Sequence, residues 1–196
     1  MTASADYARV VEQLSKARLT PYVAYVSSDT INGMGSSQTR SQIVVRVSDG
    51  TIVAGKSHFK FDTGDDSRIA NPITAPIFDP ACYRATSESP ATFDGAPAVK
   101  LDLVPVCSER HHDNDYAFTT LYVQPGTLRP IDANGVVPTG TASKDVAVSM
   151  DQRFGVFDGR VMPTLMKVDV TGSSWMFWLQ VHVRETYSDY RFLTSP

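Results

Sequence analysis

Beyond Pro21 the apolar residues of this chain recur at every second position, and that rhythm decides most of what it can fold into. Ile43, Val45 and Val47 alternate with Gln42 and Arg46, and Val99, Leu101 and Leu103 alternate with Lys100 and Asp102. Leu121 and Val123 do the same against Thr120 and Tyr122, and Met166, Val168 and Val170 against Lys167, Asp169 and Thr171. Successive side chains of a strand point to opposite faces, so the pattern describes antiparallel strands with one buried face and one wet face. "PYVAYVSSDT", "TIVAG" and "DVAVSMDQRFGVFDG" read as further strands, and Asp49-Gly50 marks a turn. Before Pro21 the spacing is helical. In "ADYARVVEQLSKARL" the residues Tyr7, Val10, Val11, Leu14 and Leu19 fall near one helical face, and Asp6 is placed to cap the start. Pro21 blocks continuation. The expected fold is one domain over residues 1–196, mainly β, with an N-terminal α-helix followed by a long antiparallel meander.

Three stretches break the rhythm. "DTGDDSRIANPITAPIFDPACYR", Asp62 to Arg84, holds Pro72, Pro76 and Pro80, which no central strand tolerates, yet also Ile73, Ile77 and Phe78. A loop or short helix laid over an apolar surface fits that mixture. "PGTLRPIDANGVVPTG" reads as turn-rich, and "TGSS", Thr171 to Ser174, as the tight turn between the last two strands.

At 196 residues, with 42% hydrophobic and 20% charged residues, the chain has a globular composition and length enough for a sizeable core. A formal net charge of -3 argues against a nucleic-acid partner, whose phosphates call for a basic face. No window approaches the ~18 consecutive apolar residues of a membrane helix. "MTASADYARV" has neither a basic nor an apolar leader segment, while Ala3, Ser4 and Ala5 suit the start of a mature exported chain. Cys82 and Cys107 have no metal-ligand spacing; in an exported protein they close a disulfide worth ~3 kcal/mol, and otherwise they stand as two buried thiols.

The candidates for catalysis are weak. "ERHHDND", Glu109 to Asp115, clusters two histidines with acids, but adjacent His111 and His112 point apart on an extended chain, and such a run between strands reads as a solvated turn. No G-x-S-x-G elbow exists for which His58, His111, His112 or His182 would act as base. "INGMG" and "GTASKD" resemble phosphate loops only in glycine content. The reading is a protein without catalytic residues, metal or cofactor.

The remaining anomaly is surplus apolar surface in "GSSWMFWLQVHVRETYSDYRF", Gly172 to Phe192. Trp175, Phe177, Leu179, Val181 and Val183 form one apolar face, but Met176 and Trp178 begin the other face before it turns to Gln180, His182 and Arg184. Either this strand is buried on both sides at its start, for instance beneath the N-terminal helix, or a curved sheet keeps an apolar concave face for a ligand.

"VMPTLMKVDVTGSSWMFWLQVHVRETYSDYRF" resembles the terminal hairpin of the LolA/LolB-like lipoprotein-sorting and lipid-carrier superfamily, with its "P-T" entry and "Y-S-D-Y-R" close. "FDGAPAVKLDLVPV", "YAFTTLYVQPGTLRPI" and the N-terminal helix resemble the family's middle and start in the same order. The resemblance implies a curved antiparallel sheet forming an incomplete (half) β-barrel, covered by helix and loop, that receives acyl chains of a lipid or lipoprotein in the periplasm. It implies no catalysis and no cofactor, and as partners a membrane-protein donor or acceptor, with the chain itself a monomer. Trp175, Phe177, Leu179, Val181, Val99, Leu101, Leu103 and Leu121 would line the concave face, and Ile73, Ile77 and Phe78 would belong to a lid. A protein-interaction or sensing domain of the same fold, with a filled interior, is the alternative. No lipidated cysteine stands at the start, and neither Arg40 nor Arg46 aligns with the carriers' gating arginine well enough to take that role.

Overall fold

The helical spacing at the N-terminus yields α1, Ala3–Ser15, followed by a 3-10 turn at Lys16–Leu19. Asp6 does not cap this helix as expected. The helix begins three residues earlier, which places Asp6 inside the first turn and buries it beside Tyr7 and Val10. The computed structural model describes residues 3–32, 36–48, 51–55, 78, 80–106, 117–136, 146–174 and 177–196.

The rest is one antiparallel sheet. Its strands are β1 (Tyr22–Asn32), β2 (Ser36–Arg46), β3 (Ile52–Ala54), β4 (Tyr83–Phe93), β5 (Ala96–Pro105) and β6 (Ala117–Val123). They continue with β7 (Pro130–Val136), β8 (Val146–Phe157), β9 (Arg160–Ser174) and β10 (Phe177–Leu193). The ten strands run in the order β3-β2-β1-β10-β9-β8-β7-β6-β5-β4, so a meander from β4 to β10 is joined at β10 by the N-terminal strands. Strands β3 and β4 stand at opposite ends of that order, which leaves the barrel open. The expected mainly-β half-barrel with one N-terminal helix is the observed fold.

Two hairpins close on Asp-Gly pairs with positive φ at both residues: Asp94-Gly95 between β4 and β5, and Asp158-Gly159 between β8 and β9. Their backbone twist matches that of the strands they join. In β10, Asp189 also has positive φ (55°), beside the irregularity in the β1–β10 register. Buried parity accordingly changes from Val183, Glu185 and Tyr187 to Tyr190.

Three local expectations are corrected. "ATSESPATF", passed over as connecting chain, lies within β4; its Pro90 is tolerated because β4 is an edge strand. "PIDANGV" is not a turn but β7, paired on both sides, with Asn134-Gly135 in mid-strand. Gly135 is buried between Phe118 and Met150, where its lack of a side chain leaves room for both. The turn expected at Thr171–Ser174 is strand: β9 continues to Ser174, which pairs with Phe177, and Gly172 is buried between Val146 and Leu179.

The core lies on the concave face. Helix α1 contributes Tyr7 and Val10, which pack with Val23, Ile43, Val45, Leu101, Leu121, Val123 and Met162 of the sheet. The Tyr7 hydroxyl donates to the Pro80 carbonyl at 2.6 Å, and Gln13 Nε2 donates to the Thr127 carbonyl at 3.0 Å. These bonds tie the helix to the entry of β4 and to the β6–β7 turn.

Candidate functional site

The alternation within each strand assigns the two faces. On β1, Val23, Tyr25, Ser27, Asp29 and Ile31 point inward; on β10, Val181, Val183, Glu185 and Tyr187 do so. At the helix end of the concave face the interior is solid. Phe78 inserts there with 1% exposure, its ring centroid 5.3 Å from those of both Tyr83 and Phe118 and 6.4 Å from that of Phe154. Its N–H donates to Oε1 of buried Gln152 at 3.0 Å. Further along, Val148 pairs with Val170 and Val170 with Val181, and beside them Ile31 pairs with Val183. Val148, Val170, Val181 and Ile31 remain half-buried, so this aliphatic row extends the core into a surface that is still open.

Between the row and the solid core sits a buried polar cluster. Ser27 Oγ lies 2.8 Å from Asp29 Oδ1 and 2.7 Å from Glu185 Oε1, and the Tyr187 hydroxyl donates to Glu185 Oε2 at 2.7 Å. Glu185 is 1% exposed and Asp29 5%. One serine hydroxyl carries one proton, so both short contacts are satisfied together only if a carboxyl donates as well. Glu185 is that donor. Desolvation is the largest influence on it and, with the Asp29 charge, outweighs the bonds from Ser27 and Tyr187, pushing its pKa up to about 7. Burial, and then the charges of Glu185 and Asp29, keep the Tyr25 hydroxyl neutral as well.

The expected lining residues separate into groups. Val181 lies on the open row. Leu101, Leu103 and Leu121 are buried in the solid core, and Val99 is half-buried toward the β4 edge. Phe177 and Leu179 belong to β10, but their side chains, and all of Trp175, fall outside the described residues. Of the lid residues, Phe78 is the buried plug, whereas Ile73 and Ile77 lie outside the described residues. So do Cys107, His58, His111 and His112. Cys82 is half-buried, and its carbonyl accepts the Val106 N–H at 2.8 Å.

The other half of the anomalous run faces out. Trp178 is 88% exposed on the convex face, so this strand is not covered on both sides at that position; α1 packs on the opposite face. His182 shares that face, its Nδ1 2.5 Å from Asp169 Oδ1 on the neighbouring strand, which accounts for it as a cross-strand pair. Arg40 lines a groove of about 420 Å³ on the convex side with Val26, Ser28 and Ser188. Among the described residues no group of three or more His, Cys, Asp or Glu is placed to hold a metal ion. No described helix is long and apolar enough to cross a membrane.

The buried acid cluster was missed at the level of sequence, although a signal for it existed. Glu185 continues the odd parity of Val181 and Val183, and Asp29 continues that of Val23 and Tyr25, so both acids occupy positions that the alternation assigns to the interior.

No protein-family model matches the chain, and no curated protein matches it in sequence. Two solved structures share its architecture. A LolA superfamily protein from Nitrosomonas europaea has a TM-score of 0.53 at 13% identity, the match covering 100% of this chain and 96% of that one. The fold is LolA-like. A DUF1329 family protein from Desulfovibrio piger has a TM-score of 0.52 at 13% identity, covering 100% of this chain and 95% of that one. At such identity the likeness is one of fold, and it agrees with the resemblance carried by the C-terminal hairpin. Within this LolA-like frame the distinctive features are this chain's own: a plugged helix end, an acid pair in the interior and an aliphatic row beyond it.

Proposed function

We propose that this LolA-like chain binds the acyl part of a lipid or lipoprotein on its concave face, as a soluble, monomeric periplasmic carrier that takes its cargo from a membrane-protein donor and passes it to an acceptor. The observation that supports this is the aliphatic row of Ile31, Val148, Val170 and Val181, half-buried and continuous with the core. Burying such surface against an acyl chain supplies roughly 25 cal/mol per Å² before the costs of association. The reading assigns no catalytic step and no cofactor. Native mass spectrometry of gently purified protein should show a co-purifying lipid, and Val181→Arg should weaken binding of a pyrene-labelled acyl probe by about tenfold. Absence of any extractable lipid, together with no thermal shift on adding acyl ligands, would overturn the carrier reading.

The solid helix end, with Phe78, Phe118, Met150, Met162 and Met166 buried together, favours a second reading: a non-catalytic envelope protein-interaction or sensing domain of the same fold. In either reading Cys82 and Cys107 close a disulfide at the ends of β4 and β5, supported by the bond that sets Val106 against Cys82. Thiol labelling of the unfolded, unreduced chain should then find neither cysteine, and labelling of both would exclude the bridge.

A further inference from the structure

The open edge of the sheet carries a separate concavity. Between the first turn of α1 and strands β4 and β5 lies a cleft of about 630 Å³. Its walls are small and mostly apolar, with Ala3, Pro90, Ala98, Val99 and Pro125 among them, and Glu88 stands on its lining. Asp6 follows Ala3 by three residues, which places the two on the same stripe of α1. Asp6 is 2% exposed and is hydrogen-bonded to Glu88. Its Oδ1 is buried with no N–H or hydroxyl donor.

Two carboxyl groups therefore meet at the wall of an apolar cleft. Both are acceptors only when ionised, and a buried carboxylate oxygen without a donor is costly. In the empty cleft a proton held by Glu88 relieves the conflict; desolvation, the bond to Asp6 and the Asp6 charge all raise its pKa. An ammonium group relieves it more completely. It brings a positive charge and three N–H donors to a place that already holds one charge and an unmet acceptor. A carboxylate or phosphate would face repulsion from both acids, and a lone hydroxyl would leave the charge uncompensated.

We infer that this cleft binds a primary amine with a short apolar body, its ammonium bridging Asp6 and Glu88 and its body lying on Pro90, Ala98, Val99 and Pro125. The site is distinct from the aliphatic row, which belongs to β1, β8, β9 and β10, and does not depend on the proposed acyl binding.

The test is calorimetric titration at neutral pH and low salt with octylammonium, octanol and octanoate, alongside two-dimensional amide NMR. Octylammonium should bind at least about tenfold more tightly than octanol, octanoate should not bind, and the shifted amides should include Ala98 and Val99. Its affinity should fall with added salt, as a charge pair partly open to water requires. Glu88→Gln should lose about tenfold and Asp6→Asn at least as much, while Val181→Arg on the concave face should leave octylammonium binding unchanged. Glu88 is exposed, so its variant reads the site even if Asp6→Asn fails to fold. Equal binding of octanol, undiminished binding by Glu88→Gln, or no binding of octylammonium would overturn the inference. If octylammonium binds while acyl probes do not, this site stands and the carrier reading fails; the converse removes this site alone.

Discussion

Phe78→Ala should lower the unfolding free energy by about 3–5 kcal/mol, the range for removing a fully buried aromatic ring whose surroundings relax only in part. The ring is 1% exposed, and its neighbours Tyr83, Phe118 and Phe154 are aromatic groups held by separate strands. They cannot close the space without moving β4, β6 and β8. The backbone N–H of residue 78 would keep its bond to Gln152, so the loss should come from packing alone. Urea denaturation of the two proteins side by side measures it; a change below about 1 kcal/mol would mean that Phe78 is a detachable cover rather than part of the core. The result bears directly on function. A detachable Phe78 would behave as the lid that the apolar, proline-rich segment first suggested, whereas a large loss makes it the permanent floor against which any ligand on the aliphatic row must stop.

How much of this was legible in the residues follows from what alternation can and cannot encode. Strands with one wet face, such as β2, β5 and β9, announce themselves because parity and burial coincide. Strand β4 does not, since an edge strand buries little and tolerates Pro90; nor does β7, where Asn134-Gly135 imitates a turn that pairing on both sides overrides. The order of the sheet is non-local: β1 lies beside β10 because the half-barrel returns on itself, and no local pattern states that. The acid cluster depends on this same adjacency. Ser27 and Asp29 meet Glu185 only across the β1–β10 seam, so each acid alone looks like an ordinary polar residue that happens to fall on the inner parity. The Asp6–Glu88 contact likewise required α1 to cross toward the edge strand. Trp178 was flagged as anomalous from its neighbours in sequence, but only the fold shows that it stands in the open on the convex face.

Glu185→Gln should flatten the upper part of the protein's pH–stability profile. The folded-state pKa of Glu185 is raised from 4.5 to about 7, chiefly by desolvation, so between those values the native state keeps a proton that the unfolded chain has lost. Stability must then be greatest at the acid side of that window and fall as pH rises toward 7, by a total on the order of 3 kcal/mol, and level off above it. A second acid acts in the same direction over a lower window. Asp132, on the β7 strand near Arg153, is raised from 3.8 to about 6, again chiefly by desolvation and then by Asp151. The two separate by pH: the decline from about 6 to 7 and just beyond belongs to Glu185, and that is the part Glu185→Gln should remove, with Asp132→Asn removing the part below. Glutamine keeps the geometry of the cluster, since its amide can donate toward Ser27 while its oxygen accepts from Tyr187. The variant should therefore match or exceed the parent at pH 8 and forfeit the parent's advantage at pH 5, as read by urea midpoints across the range. Superimposable profiles above pH 6 would show that Glu185 is already ionised in the folded protein. The two contacts of Ser27 would then be left with a single proton between them, and the carboxyl pair under the aliphatic row would present two charges to any acyl chain resting there instead of one.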